Sequence, residues 1–207
     1  MFLIKLFKKI ILFFMDKLKM TKQSLYKNRY VCTGENNVRI SKSAQISNDA
    51  LNREAIKLGS GVSIDGVLQV FYGKGHIIIG DMSYVGPNSR IWSSVDIKIG
   101  NHCLISHNCN IIDSNSHPID AQLRRLDYEN IFNGGKGLSD KVSCKPIVLG
   151  DDVWIGANSC VMKGVTLGDR TIVAAGSVVT KSFPSDVIVA GNPAKIVKML
   201  DKEKMNV

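Results

Sequence analysis

Four histidines stand in this 207-residue chain, His76, His102, His107 and His117. Imidazole titrates near neutral pH, so each is a candidate proton acceptor or metal ligand. His117 is distinguished by its setting, IIDSNSHPIDAQLRR. Pro118 restricts the backbone of the residue before it toward an extended conformation. Asp113, four residues earlier, has two open roles: orienting the imidazole, or capping a turn. The five cysteines (Cys32, Cys103, Cys109, Cys144, Cys160) contain no CxxC pair. Neither a zinc knuckle nor a dithiol redox motif is indicated, and small buried thiols in a reducing compartment fit them.

The elements that must position these residues are set by a repeat. From residue 149 an aliphatic side chain recurs every six positions: Leu149, Ile155, Val161, Leu167, Val173, Val179. The same register appears as Ile99, Ile105, Ile111, as Ile79, Val85, Ile91, and as Leu58, Ile64, Val70, with Ile40 and Ile46 a weaker opening pair. Each hexad reads as one short strand and one tight turn, with the aliphatic residue inward and Gly or Asn at the corner. Three hexads close one coil of a three-faced prism, and coils stack by parallel pairing. Every break in register follows a set of three, so all insertions emerge at one corner. The longest, residues 112–148, carries His117, and long loops on rigid solenoids are where function concentrates.

The stretch IVLGDDVWIGANSCVMKGVTLGDRTIVAAGSVVTKSFPSDVIVAGNPAKIV, with the preceding SHP, resembles the hexapeptide-repeat acyltransferases, in particular the maltose, galactoside and bacterial polysaccharide O-acetyltransferases. The resemblance runs over about residues 38–200 and implies a mainly β fold, the left-handed parallel β-helix. It also implies acetyl transfer from acetyl-CoA to a sugar hydroxyl, with His117 as general base, no metal, and a homotrimer with active sites between subunits. Trp154 matches a tryptophan placed near the catalytic histidine and the thioester. Ala157 matches a backbone N–H donor to CoA and to the oxyanion. Ala175, Thr180 and Lys181 match contacts to pantetheine and phosphate, and Lys195 and Lys198 match basic positions at the nucleotide end. Asn88 approximates an acceptor-binding asparagine. Arg124, Arg125 and Tyr128, on the loop, are further candidates for the acceptor pocket, with Arg90 and Trp92 on the stretch beside Asn88.

Other activities of the same fold call for different residues. The γ-type carbonic anhydrases bind zinc through three histidines. His102 and His107 are five apart, but their phase in the repeat differs from such a pair, and no histidine lies near position 66. N-acetyl transfer to an amino or nucleotide sugar would use a similar base. A non-enzymatic membrane-associated scaffold is the remaining alternative.

The net charge of +9, from 27 Lys+Arg against 18 Asp+Glu, is not spread along the chain. Residues 1–30 hold eight bases and one acid, and residues 195–207 hold four and two; the body between is neutral. That excludes a nucleic-acid-binding body. The longest apolar run near the start, Ile10 to Met15, is too short for a membrane span of about 20 residues. On a helix, Lys5, Lys8, Lys9, Asp16 and Lys19 share one sector opposite a wide face rich in Phe and Leu. The expected organisation is a basic amphipathic helical segment (1–30), a β-helix domain (31–193) with its extruded loop, and a C-terminal helix and tail (194–207). The first segment is expected to touch the inner face of the plasma membrane through residues 1–20 in an otherwise cytoplasmic protein, or to pack on the trimer.

Overall fold

The computed structural model describes residues 32–33, 37–49, 52–71 and 74–201, so the helix expected over 1–30 lies outside the described residues. Short strands rich in Ile, Val and Leu, two to five residues long, wind into three flat parallel faces until a single antiparallel pair closes the second. Stacking puts like residues in register. On the first face Leu58, Ile79, Ile99, Leu149 and Leu167 lie one above the other. The second face stacks Ile64, Val85, Ile105, Ile155 and Val173. The third stacks Leu68, Ile91, Ile111, Val161 and Val179. All fifteen are at most 2% exposed and form one continuous core, whereas Ile46 at the opening end is only partly buried. One expected register shifts: Leu68, not Val70, aligns with Ile91, and Val70 aligns with Ser93. The coil reaches its third face two residues early there, and both side chains still face inward.

Two of the three corners are built from one residue in the left-handed region. Between the first and second faces these are Met82, His102, Asp152 and Arg170; between the second and third they are Asn88, Asn108, Asn158 and Gly176. Asn and Gly suit that conformation best. At the first of these corners a ladder of side chains ties coil to coil. Asp169 Oδ1 accepts from the Asp151 N–H at 2.9 Å, Asp151 Oδ1 from the Asn101 N–H at 2.7 Å, and Asn101 Oδ1 from the Asp81 N–H at 2.8 Å. Gly150 is required beside this ladder, because a Cβ there would collide with the Asp169 carboxylate. The remaining corner, from third face to first, carries residues 71, 74–76, 94–96 and 113–146 between its strands. Among the described residues the long excursions leave from this corner, as the repeat predicted.

The C-terminal segment expected to open as a helix at residue 194 does not do so over its described residues. Ala194–Met199 is instead a strand, antiparallel to Val187–Gly191 on the second face. The last coil leaves an open sheet edge there. Pairing satisfies its backbone groups, and the β-branched Ile196 and Val197 suit a strand. Cys103 and Cys109 are buried free thiols that donate to the Gly150 and Gly156 carbonyls. Burial pushes the Cys103 thiol up to about 11. Replacing Ile155, fully buried at mid-stack, by Ala should cost about 2–5 kcal/mol of stability in urea unfolding. Exposed Lys98→Ala, one sheet away, should cost under about 0.5 kcal/mol.

Candidate active site

The chain leaves the third face after the strand Asn110–Ile112 and returns at Ile147–Leu149. Its two stems are clasped: the Lys145 N–H donates to the Asp113 carbonyl at 2.9 Å and the Asn115 N–H to Ser143 at 3.0 Å. Asp113 itself is fully buried. Its carboxylate accepts from Ser93 Oγ at 2.8 Å and from the backbone N–H groups of Ser94, Val95 and Asp96 at 2.7–2.9 Å. Of the two roles open to it, Asp113 therefore takes the structural one. It caps the 94–96 turn in the coil below and makes no hydrogen bond to His117.

The imidazole is oriented by a different carboxylate. Within the loop, Asp120 caps a helix, Ala121–Phe132, by accepting from the Gln122 and Leu123 N–H groups at 3.0 and 2.9 Å. Seven residues and two turns further on, Asp127 falls on the same face as that cap. It is the helix's buried residue, its side chain 3% exposed, and its Oδ2 lies 2.7 Å from His117 Nδ1. Its Oδ1 accepts from the Leu138 N–H where the loop turns back. Burial raises the acid's pKa, but the His117 and Leu138 bonds outweigh it and hold the carboxyl below its ordinary value. An ionised Asp127 fixes Nδ1 as the donor nitrogen and leaves the lone pair on Nε2. His117 is half exposed and lines a cavity of about 230 Å³ with Phe71, Trp92, Ser94, Ser114 and Ser116.

Of the expected acceptor residues Trp92 lines this cavity, whereas Asn88, Arg124 and Tyr128 do not. Arg124 donates to the Pro118 and Ile119 carbonyls at 3.2 and 2.7 Å, clipping the backbone just after His117. Tyr128 is 62% exposed and packs against the Phe132 ring at 6.1 Å. Asn88 sits at the second–third corner with φ near 59°, where its side chain type serves the turn. The residues matched to CoA contacts are distributed differently. Trp154 points outward from the second face, 48% exposed, and reaches Ser106 Oγ at 3.5 Å. Ala157 and Ala175 stack at the second–third corner, where the Gly176 N–H donates to the Ala157 carbonyl. The Ala157 N–H has no protein acceptor among the described residues. Thr180 and Lys181 follow the last third-face strand, and Lys195 and Lys198 are exposed on the closing strand. Within one chain, then, His117 and Trp154 lie on opposite sides of the prism. His102 and His107 fall at different corners, and no cluster of three potential metal ligands occurs among the described residues.

Residues 146–181 match the family profile described as the hexapeptide repeat of succinyl-transferase. A provisionally named acetyltransferase of Dictyostelium discoideum is 33% identical over 88% of this chain and 93% of its own length. The chain belongs to the hexapeptide-repeat acyltransferase family, and its prism is that family's left-handed parallel β-helix. Galactoside O-acetyltransferase of Escherichia coli is 32% identical over 62% of this chain and 57% of that enzyme, so the chain spans only part of that relative's length. A hexapeptide-repeat acetyltransferase of Vibrio cholerae, solved with acetyl-CoA, superposes with a TM-score of 0.56 at 25% identity over 89% of this chain and 79% of that one. AntD, an N-acyltransferase of Bacillus cereus, shares the fold with a TM-score of 0.65 at 22% identity over 88% of this chain and 89% of its own.

The two aspartates should separate on mutation. If His117 acts as the expected base, Asp127→Asn should lower kcat on the order of 10²-fold or more by loosening the tautomer and orientation of its imidazole. Asp113→Asn should cost about 1–3 kcal/mol of stability through its buried donors and leave the pH–rate profile in place. Because the Asp127 pKa is lowered on folding, its stabilisation is present at neutral pH and lost as pH falls below about 4. Acid titration of wild type against Asp127→Asn should show the difference in that window only.

Proposed function

We propose that the chain transfers an acetyl group from acetyl-CoA to a hydroxyl of a sugar, a bacterial surface polysaccharide or its precursor, with His117 as general base. The observation that carries this reading is the Asp127–His117 pair at 2.7 Å, opening on a cavity beside the prism. An alcohol is a poor nucleophile. His117 Nε2 takes the hydroxyl proton as the oxygen attacks the acetyl carbonyl, and Asp127 stabilises the imidazolium that forms. The Ala157 N–H donates to the carbonyl oxygen as it gains negative charge. The imidazolium then returns its proton to the departing thiolate, so the products are the acetyl ester and free CoA thiol. Acetyl-CoA supplies the activated acetyl group. Ala157 and Ala175 at their corner, Thr180, Lys181, and the exposed Lys195 and Lys198 are the residues of this chain suited to hold it.

N-acetylation of an amino sugar is the competing reading, and AntD keeps it in view. Hydroxyl transfer is favoured by the carboxylates: those of Asp113 and Asp127 are already engaged, so neither is left to receive a substrate ammonium. The separation of His117 from Trp154 supports a homotrimer, in which the second face of a neighbouring copy brings Trp154, Ala157 and the Asn88 corner to His117. In that assembly, His117→Ala and Trp154→Ala homotrimers should each lose about 10²-fold or more of acetyl-CoA thiol release. Trimers mixed from the two variants should regain activity, because some interfaces pair the intact half-sites. Mixed trimers as inactive as their parents would overturn the shared site. The membrane reading of residues 1–20 rests on their charge pattern. Deleting them should abolish sedimentation with anionic vesicles and leave turnover of a soluble acceptor within about twofold.

A further inference from the structure

The cavity beside His117 is assembled from residues that the acetyl-transfer chemistry does not use. Trp92 and Phe71 form one wall, edge to face with centroids 5.7 Å apart. Ser94, Ser114 and Ser116 complete the lining, with Ser114 Oγ accepting from the Ser116 N–H at 3.2 Å, and the volume of about 230 Å³ is smaller than the ~300–1,000 Å³ of sites for drug-sized ligands. Among the described residues, His117 is the one titratable side chain that lines it. Asp113 and Asp127 lie nearby, but turn N–H groups, Ser93, Leu138 and His117 occupy their carboxylates. Arg90 stacks over the Trp92 ring at 5.8 Å and is not part of the lining. One atom is unsatisfied: the indole Nε1–H of Trp92 is shielded from solvent and has no hydrogen-bond partner. Buried donors are nearly always paired, and a phenylalanine would fill a purely apolar position without one.

We infer that Phe71 and Trp92 are the specificity wall for the acceptor, and that the cavity takes a single uncharged pyranose ring in preference to an acidic or amino sugar. The inference rests on the proposed acetyl transfer, and it adds the class of acceptor. The C–H face of a pyranose lies against the aromatic wall, its hydroxyls meet the three serines, and a small rotation of the indole pairs Nε1–H with a ring substituent. A carboxylate or ammonium would lose its hydration there with no counter-charge to replace it.

The test uses the full chain with methyl galactopyranoside, methyl glucopyranoside, glucuronic acid and glucosamine, read by saturation-transfer NMR and by thiol release from acetyl-CoA. The neutral glycosides should bind and be acetylated in preference to the charged sugars. Trp92→Ala and Phe71→Ala should raise acceptor KM roughly ten-fold or more, with acetyl-CoA KM within about twofold. Trp92→Phe, which keeps a ring and loses the N–H, should fall between and covers the case in which the alanine variant does not fold. Acceptor KM unchanged in folded Trp92→Phe and Phe71→Ala, or preference for a charged sugar, would overturn the assignment. Neutral sugars that bind wild type through Trp92 without being acetylated would sustain the pocket and refute acetyl transfer. No binding of any of the four would refute the pocket.

Discussion

Each coil of this protein buries three aliphatic side chains against the coil beneath it, and that requirement governs everything else in the chain. A prism stacked in register has no tolerance for extra residues within its faces, since an insertion there would move an inward side chain outward. Extra length can leave only at a corner. Two corners are closed by tight left-handed turns, and the first–second corner also by a ladder of Asp and Asn side chains. The third corner is open, so the loop bearing His117 and the turns bearing Phe71 and Ser94 emerge at the same edge on successive coils. The cavity beside His117 is thus a consequence of where the core allows the chain to depart.

Within the loop, two buried aspartates do different work because their surroundings differ. Asp113 faces the underside of the loop, where four donors of the coil below converge on it. Asp127 faces outward from a helix onto an imidazole that is half exposed. The same residue type therefore anchors the loop to the solenoid in one place and sets a tautomer in the other. Arg124 completes the arrangement by fixing the carbonyls that follow His117. His117 is held from its ring and from the backbone that follows it, while Nε2 makes no hydrogen bond among the described residues.

Much of this was legible in the sequence, since a six-residue period states directly which side chains point inward and where the corners fall. His117 could be chosen because it sat in the one long break of that period. Its partner could not be. Asp113 was the nearer carboxylate in sequence, but the distance that matters passes through a helix that begins at Asp120 and carries Asp127 back over the histidine. The Asp120 cap and the spacing from Asp120 to Asp127 were the available signals. Trp92 was legible only as a neighbour of Asn88 in sequence, and its pairing with Phe71 required the coil register. The closing strand was missed because Lys-rich AKIVKML suits either a helix or an edge strand, and the open sheet edge decides between them.

The account turns on the state of one imidazole. Long-range proton–nitrogen NMR of the full chain above pH 8 reports which ring nitrogen of His117 carries the proton. The Asp127 contact predicts a proton on Nδ1 and a bare Nε2, with that preference lost in Asp127→Asn. A His117 protonated on Nε2 in the wild-type protein, or a tautomer indifferent to Asp127, would contradict the geometry on which the general base rests.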